Sequence, residues 1–153
     1  MRELKAIAEE LIRRQRMDVR YSEGGLTIPI DGEDIFVCED SEHGRVLLWA
    51  EVAQRLQTDA PRAAEISIAY NENFSFERAV TLGVSPEADS AILGRGMDAE
   101  NLDSVRILRE ARSFRAELEG ARAFFRDELA KRAPSGTAQS PMFAEFDEAR
   151  LKA

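Results

Sequence analysis

The sequence predicts an α+β fold, an antiparallel sheet packed with helices in the order α-β-β-β-α-β-β-α. Two observations predict it. The spacing of apolar residues switches between a helical and a strand period in that order along the chain. The first three strand-like runs are also separated only by short turn sequences, which makes them an antiparallel meander. At 153 residues the chain suits one domain with a real core, and 44% hydrophobic residues is an ordinary globular share.

Leu4, Ile7, Leu11 and Ile12 recur at helical spacing between Lys, Glu and Arg. They predict an amphipathic first helix over roughly residues 2–16. Tyr21-Ser22-Glu23-Gly24-Gly25 breaks the pattern. Leu26, Ile28 and Ile30 then alternate along a first strand. Pro29 has no N–H to give to a ladder, so this strand is an edge or turns that position outward. Asp31-Gly32-Glu33 is a turn, Ile35 to Cys38 a second strand, and Ser41-Glu42-His43-Gly44 the next turn. Val46, Leu48, Ala50 and Val52 form one face of a third strand, with Leu47 and Trp49 on the other. A strand apolar on both faces needs two covers. Helices supply one, and a subunit or a bound partner would supply the second.

Thr58 or Asp59 caps a second helix that has Pro61 in its first turn and Ala64, Ile68 and Ala69 on its apolar side. Tyr70-Asn71-Glu72-Asn73 closes it. Phe76, Val80, Leu82 and Val84 alternate on a fourth strand, and Ser85-Pro86-Glu87-Ala88-Asp89 turns the chain. A fifth strand near residues 91–94 ends at Gly94-Arg95-Gly96. Asn101 or Asp103 caps the last helix, where Ile107, Ala111, Phe114, Leu118, Ala121 and Phe125 step by four and three. Its seam suits packing on the chain's own sheet. Asp127 with Lys131 and Glu128 with Arg132 are spaced as charge pairs. The helix stops near Ala133, before Pro134. Residues 1–132 thus form the domain. Residues 133–153 read as a flexible C-terminal tail, ending in a short amphipathic stretch with Met142, Phe143 and Phe146.

Composition excludes several functions. A net charge of −8 repels phosphate backbones, so nucleic acid is not the expected partner, and an acidic surface attracts basic polypeptide. Cys38 is the single cysteine, which rules out an intramolecular disulfide and suits a reducing cytoplasm. The start, MRELKAIAEELIRR, has no unbroken apolar stretch and reads as neither a signal peptide nor a membrane span. His43 is the single histidine and lies in a turn beside Asp40 and Glu42, without a second ligand at metal-binding spacing. Asp31-Gly32-Glu33-Asp34 lacks the spacing of a calcium loop, and Gly94-Arg95-Gly96 is too short for a phosphate cradle. The reading is a non-enzyme with no cofactor, no metal and no catalytic residue, expected in the cytoplasm.

At the level of whole segments the chain resembles the class I type III secretion chaperones, the Tir-chaperone or CesT-like fold. GLTIPIDGEDIFV resembles that family's first hairpin and RVLLWAEVA its third strand. AYNENF stands where the family closes its second helix. RAVTLGVSPEADSAILGRGM resembles the fourth and fifth strands, and LDSVRILREARSFRAELEGARAFFRDEL the final helix. The resemblance implies a cytoplasmic homodimer that binds the N-terminal segment of a secreted effector in extended form and keeps it competent for export.

Two groups of residues are candidates for such contacts. Leu4, Ile7 and Leu11, with Leu26, Ile28 and Ile30, would line a client groove, and would equally well be core. Val80, Leu82 and Val84, with Ile92 and Leu93, would lie in the dimer interface, because the resemblance puts the second helix and the last two strands near it; burial under the long helix is the other reading. The tail from Met142 onward would serve as a placeholder in the client groove. The alternative function is a regulatory or scaffolding module of the same fold with no secreted client.

Overall fold

Strand alternation decides which face of this sheet is buried. The computed structural model describes residues 3–56 and 59–131. In chain order the elements are α1 (Leu4–Gln15), β1 (Arg20–Ser22), β2 (Gly25–Ile30), β3 (Glu33–Asp40), β4 (Arg45–Gln54), α2 (Ala60–Tyr70), a π-helical turn (Asn71–Ser75), α3 (Phe76–Arg78), β5 (Thr81–Ser85), β6 (Ser90–Asp98) and α4 (Ser104–Ala130). The strands form one antiparallel sheet in the order β1-β2-β3-β4-β6-β5. This is the α+β architecture expected from the sequence, with one strand more.

The extra strand is β1. Tyr21-Ser22, expected to interrupt the pattern, instead pairs with Leu26 and Gly25. Gly25 allows this corner, because a Cβ there would collide with the Val37 carbonyl. β1 reaches only as far as Thr27 on β2. Ile28, Pro29 and Ile30 therefore have no strand on that side among the described residues, which is where a residue without an N–H is tolerated. Asp31 (φ 49°) and Gly32 (φ 79°) are both left-handed and make the tight turn into β3, the conformation that favours Asp-Gly.

Ile28, Ile35, Val37, Val46, Leu48, Ala50, Leu82 and Leu93 are buried and form the inner face. They meet α1, α2 and α4 in a single hydrophobic core. The full seam of α4, Ile107, Ala111, Phe114, Leu118, Ala121 and Phe125, is buried there. Each large member contributes about 1.5–3 kcal/mol of apolar burial. Asp103 caps this helix by accepting a hydrogen bond from the Arg106 amide at 2.7 Å. α4 is also clamped near its end. Arg122 makes a bidentate ion pair with Glu33 and donates to the Glu51 carbonyl at 2.8 Å, so one guanidinium ties α4 to β3 and β4. These hydrogen bonds hold the Glu33 carboxyl below the usual carboxylate range; partial burial opposes the shift, and the charges of Arg122 and Arg115 add to it.

Several local expectations are corrected. On α2 the inward residues are Ala63, Ile66, Ser67 and Tyr70, while Ala64 and Ile68 face solvent. Asp59 stands at the start of α2 without a side-chain cap bond, and Thr58 lies outside the described residues. α2 does not close at Asn71. It continues through the π-helical turn into α3, so Phe76 is helical rather than part of a strand. β6 does not stop at Gly94-Arg95-Gly96 but runs through both glycines to Asp98. The last helix ends at Ala130, where Lys131 pairs with Glu128 at 2.6 Å rather than with Asp127. Arg132 and the stretch holding Met142, Phe143 and Phe146 lie outside the described residues.

The π-helical turn is tied to β5 at its first residue. Asn71 accepts a hydrogen bond from the Leu82 N–H at 2.8 Å and donates to the Leu82 carbonyl at 2.8 Å. Its amide thus imitates a neighbouring strand on the free edge of β5. Asn71→Ala leaves both Leu82 groups without their partner and is expected to cost about 1–3 kcal/mol in urea unfolding, with Asn71→Asp, which keeps the acceptor alone, between the two. Because the folded-state pKa of Glu33 is depressed, its contribution is present above the unfolded value and lost as pH falls through the folded one. Glu33→Gln is expected to be about 1 kcal/mol less stable than wild type at pH 7, a gap that narrows in denaturation series as pH falls below the ordinary carboxylate value and is gone below the depressed folded-state one.

Candidate protein-binding surfaces

The second face of the sheet has no helix over it among the described residues. Strand alternation puts Phe36 and Cys38 of β3, Leu47 and Trp49 of β4, and Ile92, Gly94 and Gly96 of β6 on that face. Phe36 and Trp49 stack with ring centroids 4.4 Å apart. Next to the stack is an open hollow of about 500 Å³, walled by Leu47, Trp49, Thr81 and Ile92 and floored by Gly94 and Gly96. The glycines make the hollow, since they are the positions from which a side chain is missing. The covering demanded by a β4 strand apolar on both faces is therefore not supplied by the chain's described residues.

Cys38 also borders the hollow. Desolvation raises its thiol above the ordinary value; the Trp49 side chain opposes this and the Asp40 charge adds to it. A thiol kept protonated is a poor nucleophile. His43 is exposed and bonded to Asp40 through Nδ1 at 2.9 Å. Among the described residues no group of three or more His, Cys, Asp or Glu is placed to hold a metal ion, and no helix is long and apolar enough to cross a membrane.

A second surface lies at the opposite end of the sheet. A cleft of about 420 Å³ runs between the start of α1 and the β1–β2 hairpin, bordered by Glu3, Leu4, Tyr21, Gly24, Glu39 and Ser41. Tyr21 is 49% exposed. This cleft adjoins the hairpin whose second strand has an unpaired outer half. At the other margin, on β5, the Asn71 amide takes up both main-chain groups of Leu82.

The structure separates the residues that the sequence grouped as sites. Leu4, Ile7, Leu11, Leu26, Ile28 and Ile30 are all buried in the core between α1, the sheet and α4. They hold α1 on β2, and Leu4 alone reaches a surface cleft. Of the interface candidates, Val80, Leu82 and Leu93 are core, whereas Val84 and Ile92 are half-buried and Ile92 lines the hollow. Sequence reasoning missed Tyr21, the glycine floor and Phe76. Phe76 is fully exposed and Ile68 is 60% exposed. A residue predicted for a strand could not be recognised as the outward point of a helix.

With this geometry in view, likeness to solved structures is informative about fold. The chain superposes on a chain of the HopA1-SchA chaperone-effector complex with a TM-score of 0.61 at 18% identity, covering 78% of this chain and 92% of that one. A chain of the ExsC-ExsE complex gives 0.60 at 15% identity over 78% and 90%. An uncharacterized protein from Methanothermobacter thermautotrophicus gives 0.50 at 12% identity over 82% and 98%. Neither a family model nor a curated protein sequence matches. The fold is the secretion-chaperone-like fold that the sequence resembles.

The desolvated thiol makes one measurable statement. Cys38 is expected to react with a disulfide reagent at pH 8 at least about tenfold more slowly than glutathione, and to reach the free-thiol rate on unfolding in urea.

Proposed function

We propose that this protein is a cytoplasmic type III secretion chaperone, a homodimer that holds the N-terminal segment of a secreted effector in extended form. The observation that carries this reading is the Tyr21 cleft at the β1 margin of the sheet, in a fold shared with chains of two chaperone-effector complexes. An extended segment laid along the outer side of β1, the outermost strand of the sheet, would pair with main-chain groups there, and its alternate side chains would enter the cleft. Glu3 and Glu39 at the cleft favour basic residues in the client and draw them in over a distance set by ionic strength. Because the client is ordered only on binding, it can cover a large surface at moderate affinity and leave again for export. Catalysis has no part in this reading, and neither does any cofactor or metal.

The client groove is here drawn along the edge and the cleft rather than through Ile7, Leu11 and Leu26, whose burial in the core leaves no room for a peptide without moving α1. Tyr21→Glu tests it. The side chain is half-exposed, so the fold should survive with an unchanged melting temperature. Co-expression with a cognate effector truncated to its N-terminal segment should yield a complex with wild type, and titration should show at least about tenfold weaker binding by the variant. Amide hydrogen exchange should slow across residues 20–30 in the complex. A client that binds both proteins equally, or that protects other segments only, defeats this placement. Failure to recover any secreted client points to the scaffolding module instead.

A further inference from the structure

Among the described residues two apolar features have no partner, one projecting and one concave. The projecting one is Phe76. Its exposure is enforced from both sides. Phe74 turns inward and packs edge-on against Phe124 at 5.6 Å and against Tyr70 at 5.1 Å. Arg78 turns inward as well, over the Phe74 ring at 4.5 Å and 3.5 Å from Glu117. Asn71 holds the start of the turn to β5. A segment fixed at Asn71, Phe74 and Arg78 cannot rotate Phe76 into the core. The π-helical turn sets this phase, a distortion that recurs at functional positions. The concave feature is the glycine-floored hollow between Leu47, Trp49, Thr81 and Ile92.

We propose that Phe76 of one copy fills the Gly94–Gly96 hollow of a second copy, and that the two-fold axis repeats the contact. The inference rests on the homodimer of the proposed function and assigns its interface. A two-fold interface requires both halves of a contact on one chain, and here both halves are present. Charge favours the same pairing. Glu72 and Glu77 flank Phe76 and are exposed, and Arg45 stands on the strand that supplies Leu47, two residues before it. Among the described residues no hydrogen bond or ion pair engages the side chains of these three. Arg45 faces Asp40 and Asp98 across the sheet, but Asp40 is held by His43 and Asp98 accepts from the Glu100 amide. A knob bearing free carboxylates thus meets a socket bearing a free guanidinium, whereas two copies of the acidic chain would otherwise repel.

Two substitutions test the contact from its two sides. Phe76→Glu removes the knob at a fully exposed position. Gly94→Leu fills the socket; Gly94 has no positive φ, and a Cβ there would stand 3.8 Å from the Leu48 carbonyl and 4.0 Å from that of Thr81, ordinary contacts. Each full-length variant should keep its circular dichroism spectrum. By light scattering across a dilution series, wild type should be a dimer, and each variant should raise the dimer dissociation constant by at least about 100-fold. A dimer that persists in either folded variant overturns this interface and leaves the homodimer standing. A monomeric wild type overturns both, and is the outcome expected if residues 132–153 or a client fill the hollow instead.

Discussion

The whole molecule depends on a sheet that the described helices bury on one face only. The inner residues of β2 to β6 are aliphatic and saturated by α1, α2 and α4. On the other face β3 and β4 keep the Phe36–Trp49 stack and Leu47, which no described element covers. An antiparallel sheet normally puts polar residues on its solvated face. Large apolar side chains there lower the solubility of a lone chain without adding to its core. An apolar patch of this kind on a sheet face marks a site of interaction with a further layer. The net charge of −8 offsets the resulting tendency to associate at random.

The same economy governs the edges. A sheet has two, and either can recruit a foreign strand. At β5 the Asn71 side chain occupies both main-chain groups of Leu82. At the opposite margin β1 is three residues long and leaves half of β2 uncovered. The β5 margin is met at Leu82 by a specific side chain, while the β1 margin lies beside the Tyr21 cleft. In the proposed function the β1 margin is the place where an extended ligand adds. Arg122 matters to this margin, because by pairing with Glu33 it fixes the turn from which the open part of β2 hangs.

Much of this was legible in the residues. The double apolar character of β4 announced both the inner and the uncovered face, and the seam from Ile107 to Phe125 announced a helix buried along its length. Asp103 announced its own cap. What the residues could not show were outcomes of tertiary contact. Arg20-Tyr21-Ser22 is too short and polar to read as a strand, and pairs because the hairpin brings it alongside Gly25 to Thr27. Asn71 reads as a helix stop until Leu82 is placed next to its amide. Gly94 and Gly96 read as a strand end, yet both lie inside β6, held by pairing with β4 on one side and, at Gly94, with β5 on the other. Leu4, Ile7 and Leu11 have the same pattern whether they meet their own sheet or a foreign peptide, and only the placement of α1 on β2 puts them in the core.

The division of the sheet also resolves a conflict that a single sticky surface would create. If one apolar face had to hold both a second subunit and a client, each would displace the other, and loading would dissolve the dimer. Here the hollow lies over β4, β5 and β6 with Cys38 of β3 at its border, and the cleft lies at the β1–β2 margin; the two share no lining residue. Two binding events separated in this way have no shared side chain to compete for, so their free energies should add. A client bound along the edge would then leave the knob and its socket untouched. The rigid part of the molecule that joins them is α4, which packs on the inner face of the strands between the two sites and is tied to β3 and β4 through Arg122.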